Sequence, residues 1–297
     1  MGLKKLHCYN GAAQEPFQPC NLVTLLPPFA KIVKSNMIPS ALEHLQEIAA
    51  RSGRTAVFLD YDGTLTPIVL RPEEAILSSS MREVLRALAA KVPVAILSGR
   101  DLEDLRQRVS IEGIVYAGSH GFDIVGPRGL RKQVAPEFLP ILEDTEKELK
   151  QKLRDIAGAQ LERKRFSIAA HFREVPDERT PQVEQAVSEV AARHRKLRKT
   201  AGKKVYELQP DVDWNKGKAL LWLLEAMGLD PEEMFPIYIG DDLTDEDAFR
   251  AVERCGVGIV VNEKPRATAA RYFLKDPVEV ELFLREILAR LRDNSHS

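Results

Sequence analysis

The feature that most constrains this chain is the run Thr55–Leu59, five residues without a charge, which ends in Asp60-Tyr61-Asp62-Gly63-Thr64. A short uncharged run rich in β-formers reads as a strand buried on both faces, as inside a parallel sheet. Open α/β sheets place their chemistry just outside the carboxyl ends of such strands. This strand delivers two carboxylates there, followed at once by glycine. Asp60 and Asp62 are two apart, so in extended chain their side chains point the same way. Like charges held that close repel unless a cation sits between them or one is protonated. D-G alone is an ordinary turn signal, but the apolar run, Asp-x-Asp-Gly-Thr and the following Leu65-Thr66-Pro67 together point to a functional site.

The pattern repeats along the chain. Helical spacing from Ser40 (Leu42, Leu45, Ile48, Ala49) precedes this strand, and Met81, Val84, Leu85 and Leu88 mark a helix over residues 80–90. A second strand over 92–97 ends in Ser98-Gly99-Arg100 and leads to a helix over 101–108. A strand that hands Ser-Gly to a helix start offers a hydroxyl and free N–H groups to an anion. A third strand, 114–117, ends in Gly118-Ser119-His120-Gly121, where His120 is either a turn residue or a ligand contact. Between 126 and about 205 the period changes to helix, two strands, helix, strand. Residues 166–173 alternate, with Phe166, Ile168, Ala170 and Phe172 on one face and Ser167, Ala169, His171 and Arg173 on the other. Helices are expected over 137–156 and 180–199, and a strand over 204–209. A small sheet with two helices on one face leaves its other face either solvated or covering something.

The doubly wound pattern returns near Asp213. Lys216 opens a helix, where a cation is disfavoured unless a phosphate lies against the same helix start. A strand over 235–239 ends in Gly240-Asp241-Asp242-Leu243-Thr244-Asp245-Glu246, either an acid-rich helix start or a hard oxygen site suited to Mg²⁺. Strands over 257–261 and 272–274 and a helix over 278–291 close the chain.

Charge argues against a nucleic-acid or membrane partner: 43 basic and 44 acidic residues leave a net charge of -1. The basic run 193–199 reads as the solvated end of its helix. Three cysteines, Cys8, Cys20 and Cys255, have no metal-ligand spacing and suit a reduced, cytoplasmic compartment. No secretory pattern opens the sequence, the apolar stretch 21–33 is broken by Pro27-Pro28, and Leu6 stands where a myristoylation signal needs Ser or Thr. The expectation is a cytoplasmic monomer acting on a small molecule.

These motifs resemble the four signatures of the haloacid-dehalogenase superfamily of phosphotransferases, in order, over roughly residues 55–275. The resemblance implies an α/β fold, a Rossmann-like doubly wound parallel-sheet core with an inserted α/β cap. Residues 1–38, with mixed turn residues and no clear period, read as an N-terminal extension, and the resemblance implies a core (39–126 and 206–297) and a cap (127–205). It also implies Asp60 as nucleophile, Asp62 as acid/base, and Ser98 and Lys216 as phosphoryl-binding groups. Mg²⁺ would be held by Asp60, the Asp62 carbonyl and Asp241, with Asp242 and Asp245 supporting it or the lysine. Within the superfamily, DYDGTLTPI, LSGR, AGSHGFDI, ERKRFSIAAHFR and YELQP are similar to trehalose-6-phosphate phosphatases. That similarity implies substrate contacts from Arg100, His120, Gly121, Glu162, Lys164, Ser167, His171, Arg173 and Glu207. Gln209, where that family often has Arg or Lys, and Asp213-Trp214-Asn215 depart from the pattern near the sugar contacts, away from the phosphoryl chemistry. The expected reaction is Mg²⁺-dependent hydrolysis of trehalose 6-phosphate through an aspartyl phosphate. Another sugar phosphate (sucrose 6-phosphate or mannosyl-3-phosphoglycerate) and a non-catalytic sugar-phosphate sensor are the alternatives.

Overall fold

The uncharged run forms the centre of the main sheet. In the computed structural model, which describes residues 38–51, 54–69, 71–202, 204–230, 233–264 and 266–293, β1 (Thr55–Leu59) is buried at every position. It pairs in parallel with β10 (Phe235–Gly240) on one side and β2 (Val94–Leu97) on the other, with Leu59 level with Ile239 and Ile96. The sheet continues in parallel through β3 (Val115–Gly118) at one end and through β11 (Val257–Val261) and β12 (Tyr272–Leu274) at the other. The full order is β12-β11-β10-β1-β2-β3-β4-β5.

Alternation along β1 assigns its side chains to two apolar layers, which is why no charge is tolerated there. Val57 and Leu59 join the layer of α1 (Leu45–Ala49), α2 (Ser79–Ala89), α3 (Leu102–Val109) and α8 (Pro277–Asp293), with Met81, Leu85, Leu105 and Phe283. Ala56 and Phe58 join the layer of α6 (Lys216–Ala226) and α7 (Glu246–Val252), with Leu220, Leu224 and Phe249. Leu59 is completely buried, and truncating such a residue to Ala costs about 2–5 kcal/mol. The helical periods read from sequence match these faces: Met81, Val84, Leu85 and Leu88 are all buried on α2, which Ser78 caps by accepting from Met81 N at 3.0 Å.

The core sheet runs beyond residue 126. β4 (Asp123–Val125) and β5 (Arg131–Gln133) form an antiparallel hairpin on β3, so the cap's first long helix, α4 (Leu139–Leu153), starts later than the expected boundary. β5 is a three-residue polar edge strand with no period to betray it. The expected return to the core at 206 falls inside β9 (Val205–Pro210), a strand of the second sheet. That sheet is antiparallel, in order β6-β7-β9-β8, with β6 (Gln160–Lys164), β7 (Ser167–His171) and β8 (Leu197–Gly202).

β8 is a correction to the helix expected over 180–199. The helix α5 (Thr180–Arg193) stops at His194, and the basic run continues as strand because Leu197 turns into the cap's apolar cluster opposite Pro210. Helices α4 and α5 pack through Leu142, Leu149, Val183 and Val187 on Ile168, Ala170 and Leu208. The N-terminal extension, with Cys8 and Cys20, lies outside the described residues except for Ile38. Among the described residues no helix is long and apolar enough to cross a membrane.

Candidate active site

Parallel register brings the tips of β1 and β10 together. Asp60 N donates to the Ile239 carbonyl at 2.9 Å, and Asp60 itself is 5 % exposed. Gly63 then turns back with φ +79°, and a Cβ on it would lie 2.2 Å from Asp241 Oδ2. Only glycine allows that conformation and that approach together. Asp60, Asp241 and Asp245 each place a carboxylate oxygen within 4.8 Å of the others.

One cation answers this cluster from within the protein. Lys216, the first residue of α6, lies 2.9 Å from Asp60 Oδ1 and 2.7 Å from Asp245 Oδ1 and is 2 % exposed. Burial disfavours its charge, but Asp245 and Asp60 outweigh that and hold its pKa far above the ordinary range. Burial pushes the Asp60 and Asp241 carboxyls up; Lys216 opposes the rise, and neighbouring carboxylate charge adds to it. Among the described residues these three carboxyl groups meet one ammonium, so with all three ionised the cluster would lack positive charge.

The donor sets show where a further cation fits. Asp245 Oδ1 accepts from Lys216 Nζ and from the Tyr238 hydroxyl, and its Oδ2 accepts from Asp242 N at 2.9 Å. Its oxygens are committed to holding the lysine and the loop. Asp241 Oδ1, by contrast, is buried without a hydrogen-bond partner. An orphaned carboxylate oxygen beside a second buried carboxylate suits a hard divalent ion.

Asp62, on the same loop, pairs with a different cation. Arg100 grips it with both arms of the fork, Nε to Oδ2 at 2.8 Å and Nη2 to Oδ1 at 2.7 Å. Arg100 also donates to Asp104 at 2.8 Å and to the Pro72 carbonyl at 2.7 Å. Arg100, expected among the substrate contacts, thus carries hydrogen bonds to Asp62, Asp104 and Pro72. Ser98 follows β2, the neighbour of β1, and is 1 % exposed.

The cap's second face covers this end of the core. Ser167 and Ala169 are buried although they point away from the cap's apolar cluster. Glu207 on β9 gathers the expected sugar contacts: Ser167 Oγ at 2.5 Å, Lys164 Nζ at 3.2 Å and His120 Nε2 at 3.8 Å. Burial would raise the Glu207 carboxyl, but Lys164 and His120 outweigh it and hold it well below the carboxylate range. Burial likewise opposes the Lys164 charge, and Glu207, Glu162 and more weakly Asp62 prevail. Glu162 pairs with His171 at 2.8 Å. Arg173 lies past the end of β7 in an exposed turn. Gly121 has φ +89° and its carbonyl accepts from Trp214 Nε1 at 2.9 Å, so Trp214 fixes the turn that carries His120.

Residues 58–278 match the sequence profile of the trehalose-phosphatase family. The chain belongs to that family. A trehalose 6-phosphate phosphatase of Zea mays is 42% identical over 268 residues, covering 84% of this chain and 74% of that protein. A Mycobacterium tuberculosis protein described as an uncharacterized glycosyl hydrolase is 46% identical over 266 residues, covering 86% of this chain but 20% of its own length. The matched region is there one part of a much longer chain. An Aspergillus fumigatus trehalose-6-phosphate phosphatase structure superposes with a TM-score of 0.62 at 27% identity, covering 85% of this chain and 99% of that one. The fold is also that of a haloacid dehalogenase-like hydrolase from Bacteroides thetaiotaomicron, with a TM-score of 0.57 at 20% identity over 78% of this chain and 99% of that one.

Family membership does not reveal two groups that the geometry adds to the trehalose-phosphatase site. Tyr238 is wholly buried in β10, and its hydroxyl reaches Asp245. In sequence it is one aromatic residue in an apolar strand, with no signal beyond the polar atom it carries. Trp214 was legible only as a departure from the family pattern.

Proposed function

We propose that this chain hydrolyses trehalose 6-phosphate to trehalose and phosphate. The observation that carries the reading is the buried Asp60–Lys216 pair at the tip of β1, set against the unpartnered oxygen of Asp241 and faced by a polar cap surface. In this reading Asp60 attacks phosphorus. The ester P–O bond breaks as the Asp60–phosphorus bond forms, and Asp62 gives its proton to the departing sugar oxygen. Asp62 then takes a proton from the water that attacks the aspartyl phosphate, which releases phosphate and restores Asp60. Lys216 and Ser98 bind phosphoryl oxygens, and Arg100 orients Asp62. Mg²⁺, held by the Asp60 and Asp241 carboxylates and the Asp62 carbonyl, would neutralise phosphoryl charge as a Lewis acid. The Glu207 cluster would hydrogen-bond the disaccharide, and closure over it would exclude bulk water.

The test compares kcat/KM for trehalose 6-phosphate, sucrose 6-phosphate and mannosyl-3-phosphoglycerate with Mg²⁺. A preference of at least about a hundredfold for trehalose 6-phosphate is expected of a site that hydrogen-bonds its sugar. Equal rates on all three would contradict the substrate assignment. In the same assay Lys164→Ala should lower kcat/KM for trehalose 6-phosphate by about 2 kcal/mol, the order of a charge-assisted hydrogen bond, and leave a small aryl phosphate nearly unchanged. An equal loss on both substrates would mean that Lys164 supports the core and does not read the sugar.

A further inference from the structure

Asp241 stands on a loop that has left the sheet ladder at Gly240, so its carbonyl needs a partner from elsewhere, while the Asp242 carbonyl accepts from Asp245 N at 3.2 Å. Arg266, in the segment between β11 and β12, reaches both carbonyls. Its Nη2 donates to the Asp241 carbonyl at 3.3 Å and to the Asp242 carbonyl at 3.2 Å. Its Nη1 donates to Glu246 Oε1 at 2.7 Å. The other oxygen of Glu246 accepts from Ala269 N at 2.7 Å. Glu246 is the first residue of α7 and is 8 % exposed. One buried carboxylate therefore ties Arg266 and the approach to β12 to the helix that follows the Asp241 loop. On its other side the Asp241 carboxylate is flanked by Gly63, at a spacing that leaves no room for a Cβ.

We infer that Arg266, held by Glu246, is a positioning residue for the metal centre: its fork fixes the 241–242 backbone so that the Asp241 carboxylate is presented to the cation already oriented. This rests on the reading of Asp60 and Asp241 as metal ligands. The side-chain chemistry is specific. A guanidinium has separate donors in one rigid plane, and here they meet a carboxylate and two carbonyls at once. An ammonium is a single point and cannot span the same three acceptors in that geometry. Groups behind metal ligands set ligand orientation and typically change metal affinity about 10- to 100-fold when removed.

The experiment titrates Mn²⁺, a paramagnetic stand-in for Mg²⁺, into the full chain without substrate and follows free ion by electron paramagnetic resonance. Arg266→Ala is expected to weaken Mn²⁺ binding about tenfold or more while the circular dichroism spectrum stays that of the native fold, and excess metal should restore kcat. Arg266→Lys keeps the pair with Glu246 and should lie between alanine and wild type. Wild-type Mn²⁺ affinity in a folded Arg266→Ala, with only a lower melting temperature, would overturn the inference and leave Arg266 as a crossover anchor. Should the alanine variant fail to fold, the lysine variant decides, and wild-type affinity there overturns the inference equally. Asp241→Asn is the reference and should lose the site. Unchanged Mn²⁺ binding in that variant would remove the metal centre itself, and the positioning role with it.

Discussion

At Asp62 a carboxylate expected to carry a proton is gripped by a guanidinium that also serves Asp104 and the Pro72 carbonyl. Arg100 is 9 % exposed, so this is no loose surface pair, and its effect falls on the placement of Asp62. Arg100→Met should lower kcat for trehalose 6-phosphate by about ten- to a hundredfold with little change in KM, because acid–base catalysis depends on the position of the donor. A raised KM at constant kcat would instead make Arg100 a substrate contact. At this scale the sequence was informative where chemistry is written into spacing, as at Asp60, Asp241 and Lys216. It was silent where a function depends on which way a side chain turns. Arg100, expected among the substrate contacts, grips Asp62, and Tyr238, one residue of an apolar strand, holds Asp245.

Among the elements, the β6–β7 hairpin joins cap to core. Its tip residue Phe166 is fully buried and stacks on Phe122 at 5.9 Å, and Arg165 N donates to Asp101 at 2.9 Å. Phe166→Ala should therefore destabilise by about 3–5 kcal/mol in denaturant unfolding, and a loss under about 1 kcal/mol would mean that the tip is not a fixed joint. Behind the tip, Glu207 is held ionised by the partners it gathers, so its folded pKa lies below its unfolded value of 4.5. Its stabilising contribution is present above that value and is lost as pH falls below it. Glu207→Gln should thus cost about 1–3 kcal/mol near neutrality and lose less stability than wild type on acidification, read from unfolding curves at pH 7 and pH 4 (about half a unit below that value). Parallel acid dependence in the two proteins would remove Glu207 from the account. The helices and parallel strands were legible because amphipathic period and uncharged runs follow burial. The β4–β5 hairpin and β8 were not: β4 and β5 have three residues each and β5 is a polar edge, too little for a burial signal, and the basic face of β8 continues the charge pattern of α5.

In the whole molecule, on the proposed reading, the core supplies groups for a phosphate and the cap supplies groups for a sugar, with Lys164 of the cap close enough to Asp62 for the two charges to interact. The cysteine and net-charge arguments placed no chemistry; the order of strand-tip motifs did, because a parallel sheet lines up its carboxyl ends whatever lies between them in sequence. The most direct measurement is phosphate release from trehalose 6-phosphate with Mg²⁺, by wild type and by Asp60→Asn. The side chain hardly changes volume, while a carboxamide is a poor nucleophile, so the account predicts turnover by wild type and a loss of more than about a thousandfold in the variant, with the melting profile retained. Turnover by the variant within about tenfold of wild type, or none by wild type, would contradict it.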